Sequence, residues 1–392
     1  MTESRPLRVA ILGSTGSIGR STLEVVRRHP TRFKTVALAV HRSRAELAAQ
    51  VREFGPRRVV VVDERVGIGG DPSSARWEVG SDAMLSLAAD PDVDVVVNAL
   101  VGAVGLEPTL AALNAGKRLA LANKESLVVA GPLVLEAAAR GGGELVPIDS
   151  EHSAILQCLV RSDRTDVARL VLTASGGPFR GWNSAALAGV RPSDALRHPT
   201  WEMGAKITVD SATLANKALE VIEAHFLFGV PYSAIDVVVH PQSIIHSFVE
   251  FVDGSVLGQM GFPTMELPIL YALSHPARVG DERLRNFDPV RAAPLTFEAV
   301  DRDLFPLFEL GIAAGRRGGT TPAAFNAANE VAVGAFLDER LSFPGIPAVV
   351  RTALDEHKSG PARSVADVLE ADRAARVAAR RAVESVGPEV RG

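Results

Sequence analysis

The sequence has little of three things: cysteine, charge of one sign and long apolar runs. Cys158 is the single cysteine among 392 residues, so an internal disulfide is excluded and a reducing compartment is favoured. The formal net charge is -4, which argues against nucleic acid as the main partner, because a phosphate-binding surface needs a basic excess. No apolar run approaches the length of a membrane span, and the start of the chain lacks the pattern of a secretory signal. We therefore expect a cytoplasmic protein without a nucleic-acid or membrane partner.

The order of apolar segments along the chain predicts three domains. Residues 1–148 alternate apolar strands with helices, which is typical of a parallel, doubly wound sheet. Residues 149–290 mix strands and helices, and 191–206 within them resemble a mobile loop. Residues 291–392 are rich in Ala and Arg and predict a bundle of three to four helices. The predicted fold class is α/β, with a Rossmann-like parallel sheet, a central α+β catalytic domain and a C-terminal helical bundle.

A glycine-rich loop stands between the first predicted strand and the first predicted helix. Gly13, Gly16 and Gly19 form the run Gly-Ser-Thr-Gly-Ser-Ile-Gly. Glycines let a backbone approach a pyrophosphate, and the N-terminus of the following helix supplies N–H groups. The loop predicts a nucleotide site, with a purely structural turn as the alternative.

The residues after the second predicted strand indicate which nucleotide binds. An NAD site usually has an acidic residue there, whereas this chain has His41, Arg42 and Ser43. These residues suit a 2′-phosphate, so the expected cofactor is NADPH. Alternatively, Arg42 and Arg44 are ordinary cations at the start of a helix.

Asp149 and Glu151 are the clearest candidates for a metal site. In an extended segment, residues two apart point to the same face. Two carboxylates on one face repel each other, and a divalent cation with oxygen ligands would relieve that repulsion. The alternative is a solvated turn.

Three further segments supply polar groups for a ligand. Asn123-Lys124-Glu125 follows a predicted strand, where Lys124 can hold an anionic oxygen or polarise a carbonyl; the alternative is a solvated surface. The turn beginning at Ser175 suits an anion. Asn216 and Glu220 lie four apart at a predicted helix start and share a face, next to Lys217.

The loop from His198 to Gly204 contains Trp201, which can cover a substrate or, alternatively, belong to a core. His240 and His246 lack a third ligand nearby, so a structural role is favoured over a zinc site.

Taken together, these motifs resemble one family, 1-deoxy-D-xylulose 5-phosphate reductoisomerase. The matching segments follow the family's order over residues 7 to about 265, and they are 13–19, 123–125, 149–154, 175–179, 198–204, 210–220 and 240–246. His41 departs from the family, in which many members carry Gly. The NADPH contacts at 41–43 are therefore open.

The resemblance implies a role for each matching residue. Asp149, Glu151 and Glu220 would bind one Mg²⁺ or Mn²⁺ per subunit, and Lys124 and Ser150 would contact substrate oxygens near it. The substrate phosphate would be held by Ser175, His198, Ser211, Asn216 and Lys217, with Trp201 closing over the substrate. The NADPH contacts would be Thr15, Gly16, Ser17, Ile18, His41, Arg42, Ser43, Asn123, Glu125, Met203 and Gly204.

The resemblance also implies a reaction and an assembly. The expected reaction is a retro-aldol cleavage and re-addition followed by hydride reduction, which gives 2-C-methyl-D-erythritol 4-phosphate for isoprenoid precursors. The expected assembly is a homodimer. Two alternatives are open. The first is a related NADPH oxidoreductase, such as a homoserine or semialdehyde dehydrogenase, although the semialdehyde type needs a nucleophilic cysteine and Cys158 lies in an apolar run. The second is a redox-sensing protein that binds the nucleotide without catalysing a reaction.

Overall fold

A computed structural model describes residues 5–66 and 75–387 of the chain. Up to residue 158, the strands are β1 (Leu7–Leu12), β2 (Phe33–Val40), β3 (Arg58–Val61), β4 (Arg76–Val79), β5 (Val95–Asn98), β6 (Arg118–Leu121) and β7 (Glu144–Pro147). The helices of this part are α1 (Ser17–Arg28), α2 (Arg44–Phe54), α3 (Ser81–Ala88), α4 (Leu106–Asn114), α5 (Lys124–Gly141) and α6 (Ser150–Cys158).

The rest of the chain contains a second set of strands and many helices. The strands are β8 (Val167–Ala174), β9 (Ile235–Val239), β10 (Ile245–Phe251), β11 (Val256–Met260) and β12 (Glu298–Ala299). The helices are α7 (Ser184–Ala188), α8 (Pro192–Ala195), α9 (Ala205–Ala212), α10 (Ala215–Phe228), α11 (Glu266–Ser274), α12 (Pro289–Ala292), α13 (Pro306–Arg317), α14 (Thr321–Leu337), α15 (Gly345–Glu356) and α16 (Val365–Val386). Among the described residues, none of these helices combines the length and apolar character needed to cross a bilayer.

The chain forms two compact units. The first comprises Met1–Ser126, Val134–Ser153 and Thr264–Asn286, and the second comprises Leu127–Leu133, Ala154–Pro263 and Phe287–Gly392. The two units are groups of residues that pack together, and they do not mark boundaries of domains along the sequence. The three domains expected from the sequence, with boundaries after residues 148 and 290, stay a prediction.

The first unit is built on a parallel sheet. Its order within the described residues is β4-β3-β2-β1-β5-β6-β7, and each neighbouring pair is parallel. The central strands are buried, with Val9 to Leu12 at 0% exposure, because both faces of such a sheet are covered. The strand order reverses between β1 and β5, and ligands of this kind of sheet bind outside the carboxyl ends of the strands at that point. The predicted Rossmann-like sheet is confirmed.

The second unit contains a mixed sheet and the C-terminal helices. The sheet order is β11-β10-β8-β9-β12, in which β8 and β9 are parallel and the other pairs are antiparallel. Strand β11 lies at an edge and exposes apolar side chains, Val256 by 54% and Leu257 by 48%. The predicted α+β region is confirmed.

The helices after residue 304 confirm the predicted bundle. Ala324 and Ala327 of α14 are fully buried and pack with Ala375 of α16, since small side chains let helices approach closely. The pair Thr321-Pro322 predicts an N-cap and a first helical position, but in the structure the N-cap is Thr320 and Thr321 is the first residue of α14.

Candidate active site

The glycine loop at 13–19 joins β1 to α1, as predicted. Gly13 has φ +86°, and a Cβ there would lie 2.7 Å from the Ala99 carbonyl after β5. A Cβ on Gly19 would overlap the Gly13 carbonyl. Both positions therefore require glycine, since a side chain would push the loop away from the strand ends.

The N-terminus of α1 has the character expected of a phosphate site. Gly16 is its N-cap, no side chain caps the helix, and the first turn contains no acidic residue. The backbone N–H groups near Ser17 and Ile18 can therefore donate to an anion, with the helix dipole in their favour. One contact was missed from the sequence: Ser14 Oγ donates to Gln50 Oε1 at 2.7 Å in the buried interior, which fixes the loop against α2.

The segment His41-Arg42-Ser43 follows β2 and leads into α2. Arg42 Nε lies 2.6 Å from Asp63 Oδ2, and Arg65 pairs with the same carboxylate at 2.8 Å. Arg65, and after it Arg42, holds the pKa of the Asp63 carboxyl well below its usual range. Arg42 therefore already has an anionic neighbour, which the sequence pattern did not reveal.

Asn123 organises the turn between β6 and α5. Its Oδ1 accepts from Ser126 N at 3.1 Å, and its Nδ2 donates to the carbonyls of Leu100 and Gly102, each at 2.9 Å. The same Nδ2 lies 3.1 Å from Glu125 Oε2. Asn123 is fully buried, so its side chain positions this turn.

Lys124 and Asp149 form an ion pair within the first unit. Lys124 Nζ lies 2.5 Å from Asp149 Oδ2, and their side chains are only 8% and 14% exposed. The fold explains the pair: Leu121 and Pro147 are register partners in β6 and β7, and Lys124 and Asp149 follow the carboxyl ends of these strands. The sequence placed Lys124 after a predicted strand but did not indicate that it meets Asp149.

The predicted geometry of Asp149 and Glu151 was wrong. They do not lie on one face of an extended segment, because α6 begins at Ser150 and Ser153 N donates to Asp149 O at 2.8 Å. Asp149 therefore stands directly before a helix, and Glu151 is in its first turn. The positive end of the helix dipole favours carboxylates at these positions. Ser150 Oγ also donates to Glu151 Oε2 at 2.6 Å.

Three residues predicted to hold a phosphate meet within the second unit. His198 Nε2 lies 3.1 Å from Ser175 Oγ and 3.1 Å from Ser211 Oγ. Gly177, at φ +67°, makes this approach possible, since a Cβ there would lie 2.8 Å from Ser211 O. The hydroxyls come from the end of β8 and from α9, so the fold and not the chain order creates the cluster.

The protonation state of His198 follows from its contacts. Its Nδ1 accepts from the backbone N–H groups of Thr200 and Trp201, at 3.1 and 2.9 Å. Nε2 must therefore carry the hydrogen in the neutral ring. Burial lowers the pKa of His198 to about 4, so the ring is neutral at pH 7 and presents an N–H donor between the two hydroxyls.

Asn216, Lys217 and Glu220 lie in α10. Asn216 Nδ2 donates to Glu220 Oε1, as their spacing predicted, and Lys217 pairs with the same carboxylate. Lys217 Nζ also donates to Thr173 O at 2.6 Å, and Glu220 is only 1% exposed. A buried carboxylate needs such partners. The pattern of residues 210–220 predicts the start of one helix, whereas in the structure Leu214 adopts φ +58° and separates α9 from α10.

Residues 196–204 connect α8 to α9. Trp201 and Met203 are partly exposed, and Gly204 is the N-cap of α9. A cavity of about 380 Å³ opens beside the Ser175 turn and is lined in part by Pro199 and Arg197. The expected movement of the loop and the covering role of Trp201 stay predictions.

The ring of His240 is bonded on both sides within the second unit. Its Nδ1 lies 2.9 Å from Thr296 O, and its Nε2 accepts from Ile244 N at 3.1 Å. The ring is thus part of the framework around β9, consistent with the structural role expected for it.

Models of one protein family match most of the chain. The family described as 1-deoxy-D-xylulose 5-phosphate reductoisomerase matches residues 9–131. Its C-terminal domains match residues 145–228 and 260–378.

Relatives named 1-deoxy-D-xylulose 5-phosphate reductoisomerase are similar over nearly their whole length. The protein from Heliobacterium modesticaldum is 51% identical and covers 97% of this chain and 97% of its own. The protein from Mycobacterium marinum is 51% identical over 97% of this chain and 94% of its own.

Solved structures of such enzymes also match the fold. One from Zymomonas mobilis in complex with NADPH has a TM-score of 0.90 and 41% identity, covering 97% of this chain and all of that one. Another, in complex with NADPH, fosmidomycin and magnesium, has a TM-score of 0.91 and 39% identity, covering 96% and 98%. These likenesses extend through both compact units. The chain therefore belongs to the 1-deoxy-D-xylulose 5-phosphate reductoisomerase family.

Proposed function

We propose that this protein converts 1-deoxy-D-xylulose 5-phosphate into 2-C-methyl-D-erythritol 4-phosphate, using NADPH and a divalent cation, for isoprenoid precursor synthesis. Membership of the family supports this reaction, as do relatives solved with NADPH, magnesium and fosmidomycin. The observation that carries the proposal is the meeting of Ser175, His198 and Ser211 in the second unit. Hydroxyls and a ring N–H that converge in this way suit a phosphate ester.

The NADPH pyrophosphate would lie at the N-terminus of α1, on Thr15, Gly16, Ser17 and Ile18. The fit rests on two features: glycines that bring the loop close to the strand ends, and a first helical turn without a side-chain cap or an acid. The 2′-phosphate would contact His41, Arg42 and Ser43, and the remaining contacts would be Asn123, Glu125, Met203 and Gly204. NADPH supplies the hydride for the reduction.

One Mn²⁺ or Mg²⁺ per subunit would be held by Asp149, Glu151 and Glu220. Three carboxylates are a donor set that hard divalent cations prefer. The position of Asp149 and Glu151 at the start of α6 favours their ionised forms. The cation supplies Lewis-acid polarisation of the substrate's carbonyl and hydroxyl oxygens.

Lys124 would act at the reacting end of the sugar. Its ammonium is nearly buried and paired with Asp149, so it is a fixed positive charge that can hold a substrate oxygen bearing negative charge. Ser150, the next residue after Asp149, would contact the same end of the substrate.

The phosphate would be held by Ser175, His198, Ser211, Asn216 and Lys217. Neutral His198 donates its Nε2–H, and Lys217 contributes a point charge. Binding a phosphate distant from the reacting bond keeps the phosphate-bearing fragment in place while the carbon skeleton rearranges. Trp201 would cover the substrate and exclude water.

The active protein would be a homodimer in the cytoplasm. Support for the assembly comes from β11, an edge strand with Val256 and Leu257 about half exposed, at 54% and 48%. Exposed apolar edge strands favour pairing with another chain.

The deciding experiment measures NADPH oxidation by the purified protein with 1-deoxy-D-xylulose 5-phosphate and Mn²⁺, before and after chelation. Oxidation that stops with chelator and resumes with Mn²⁺, together with mass-spectrometric detection of the named product, is the expected result. Oxidation that survives chelation would favour a metal-independent dehydrogenase. NADPH binding without any oxidation would favour a nucleotide sensor.

A further inference from the structure

Asp210 is a charged residue buried in an unfavourable place. It is 1% exposed and lies in the last turn of α9, where the negative end of the helix dipole opposes a carboxylate. A buried charge of this kind persists only if hydrogen bonds and an opposite charge compensate it. The partners that stabilise the carboxylate therefore show which parts of the chain it links.

Two partners hold the Asp210 carboxylate. Lys206, one turn earlier in α9, places Nζ 2.8 Å from Oδ2. Asn329 of α14 donates from Nδ2 to Oδ1 at 2.8 Å and is itself fully buried. The bond to Asn329 spans 119 residues of sequence and ties the C-terminal helices to the end of α9.

The end of α9 carries the hydroxyl of the phosphate cluster. Ser211 follows Asp210 directly, and its Oγ lies 3.1 Å from His198 Nε2. Gly177 also lies close to Ser211, since a Cβ on Gly177 would lie 2.8 Å from the Ser211 carbonyl oxygen. The last turn of α9 is thus held by the Asn329 amide of α14 and is also contacted by Gly177, which follows β8.

We propose that Asn329 is a positioning residue for the phosphate end of the substrate, acting through the Asp210 carboxylate on Ser211. This inference rests on the proposed function, because it assigns the Ser175–His198–Ser211 cluster to phosphate binding. It gives the C-terminal bundle a part in substrate recognition in addition to support.

Asn326 provides a matched control on the same helix. It is also an asparagine at 0% exposure, but its Nδ2 donates to Glu330 at 3.0 Å and not to Asp210. Asn329→Leu and Asn326→Leu remove the same buried donor from neighbouring turns and keep a similar side-chain volume. The measurements are the Kd of inorganic phosphate by calorimetry, the Kd of NADPH, the Tm, and KM and kcat with the sugar phosphate.

Asn329→Leu is expected to weaken phosphate binding and to raise KM by about three- to tenfold, because a charged hydrogen bond is lost. NADPH affinity should not change. Asn326→Leu should lower the Tm and leave phosphate affinity intact. Unchanged phosphate affinity in Asn329→Leu, or an equal loss in both variants, would overturn the inference.

Asp210→Ala, which removes the acceptor that Asn329 uses, tests the same link should Asn329→Leu fail to fold, and retained phosphate affinity in that variant would also overturn it. If both fold, their effects on phosphate binding should be less than additive, since they break one connection. Wild-type protein that binds phosphate without converting the sugar would refute the proposed reaction alone. Wild-type protein that does not bind phosphate would refute the positioning role.

Discussion

Replacing Asp149 by Asn should separate turnover from cofactor binding. The change keeps the side-chain shape and removes the charge that would ligate the cation. Lewis-acid assistance is worth several kcal/mol, and about 3 kcal/mol corresponds to roughly a hundredfold in rate. We therefore expect kcat/KM to fall by at least about a hundredfold.

The same substitution also removes the ion pair with Lys124, whose side chain is 8% exposed. A nearly buried ammonium left with a neutral neighbour costs stability, here about 2 kcal/mol because the Asn oxygen still accepts a hydrogen bond. NADPH affinity should stay within about twofold, since the glycine loop follows a different strand.

Asp94→Asn is the matched control for that experiment. Asp94 is a partly buried aspartate of the same unit, paired with Arg5 and Arg8 at 2.7 and 3.0 Å, but it precedes the amino end of β5, whereas Asp149 follows the carboxyl end of β7. It should lose stability and retain turnover. The assay is NADPH oxidation at saturating Mn²⁺, with unfolding followed by circular dichroism. Near-wild-type turnover in Asp149→Asn, or an equal loss in Asp94→Asn, would refute the metal assignment.

Three further outcomes follow from the geometry. Because the folded pKa of His198 is about 4, below the usual value near 6.5, protons favour the unfolded state in acid; stability should fall from about pH 6.5 to pH 4, and less steeply in His198→Gln, as Tm measurements would show. Gly19→Ala should abolish NADPH binding by fluorescence titration, because a Cβ overlaps a loop carbonyl, whereas Gly280→Ala, with open space around it, should bind normally. Leu257→Lys on β11 should yield monomers in analytical ultracentrifugation, whereas Val377→Lys, at a site 51% exposed on α16, should not; a dimeric Leu257→Lys protein would exclude β11 from the interface.

The sheet of the first unit was predictable because its strands are buried on both faces. Short continuous apolar runs such as those of β1 and β5 predict buried parallel strands when they alternate with helices. The glycine loop was also predictable, since the positive φ of Gly13 and the close backbone contacts of Gly13 and Gly19 exclude residues with a side chain. The strands β4 and β7 were not predicted, because their sequences Arg-Trp-Glu-Val and Glu-Leu-Val-Pro lack the continuous apolar run found in strands such as β3 and β5.

The local geometry predicted for Asp149 and Glu151 is wrong. Asp149 followed by Ser150 and Glu151 is also a helix-start signal, with an acceptor before the helix and an acid in its first turn. The extended conformation predicted for this segment is therefore wrong. The break at Leu214 was missed for a different reason: a leucine at positive φ is imposed by tertiary packing and has no sequence signature.

The contacts of the phosphate cluster could not be derived from spacing. Ser175 and Ser211 reach His198 across 23 and 13 residues, and only the tertiary fold brings the end of β8 close to α9. The family resemblance named these residues as a group, but their hydrogen bonds, and the tautomer of the histidine, required coordinates.

The two nitrogens of His198 serve two different parts of the chain. One faces the serine hydroxyls, and the other is an acceptor for the amides that begin the Trp201 loop. A planar ring cannot tilt at one nitrogen without moving the other, so any displacement of the ring at the hydroxyls is transmitted to the loop backbone. If the phosphate binds at these hydroxyls as proposed, we expect its presence to affect the backbone position of residues 200 and 201, so that selectivity for phosphorylated sugars would involve this loop as well as affinity.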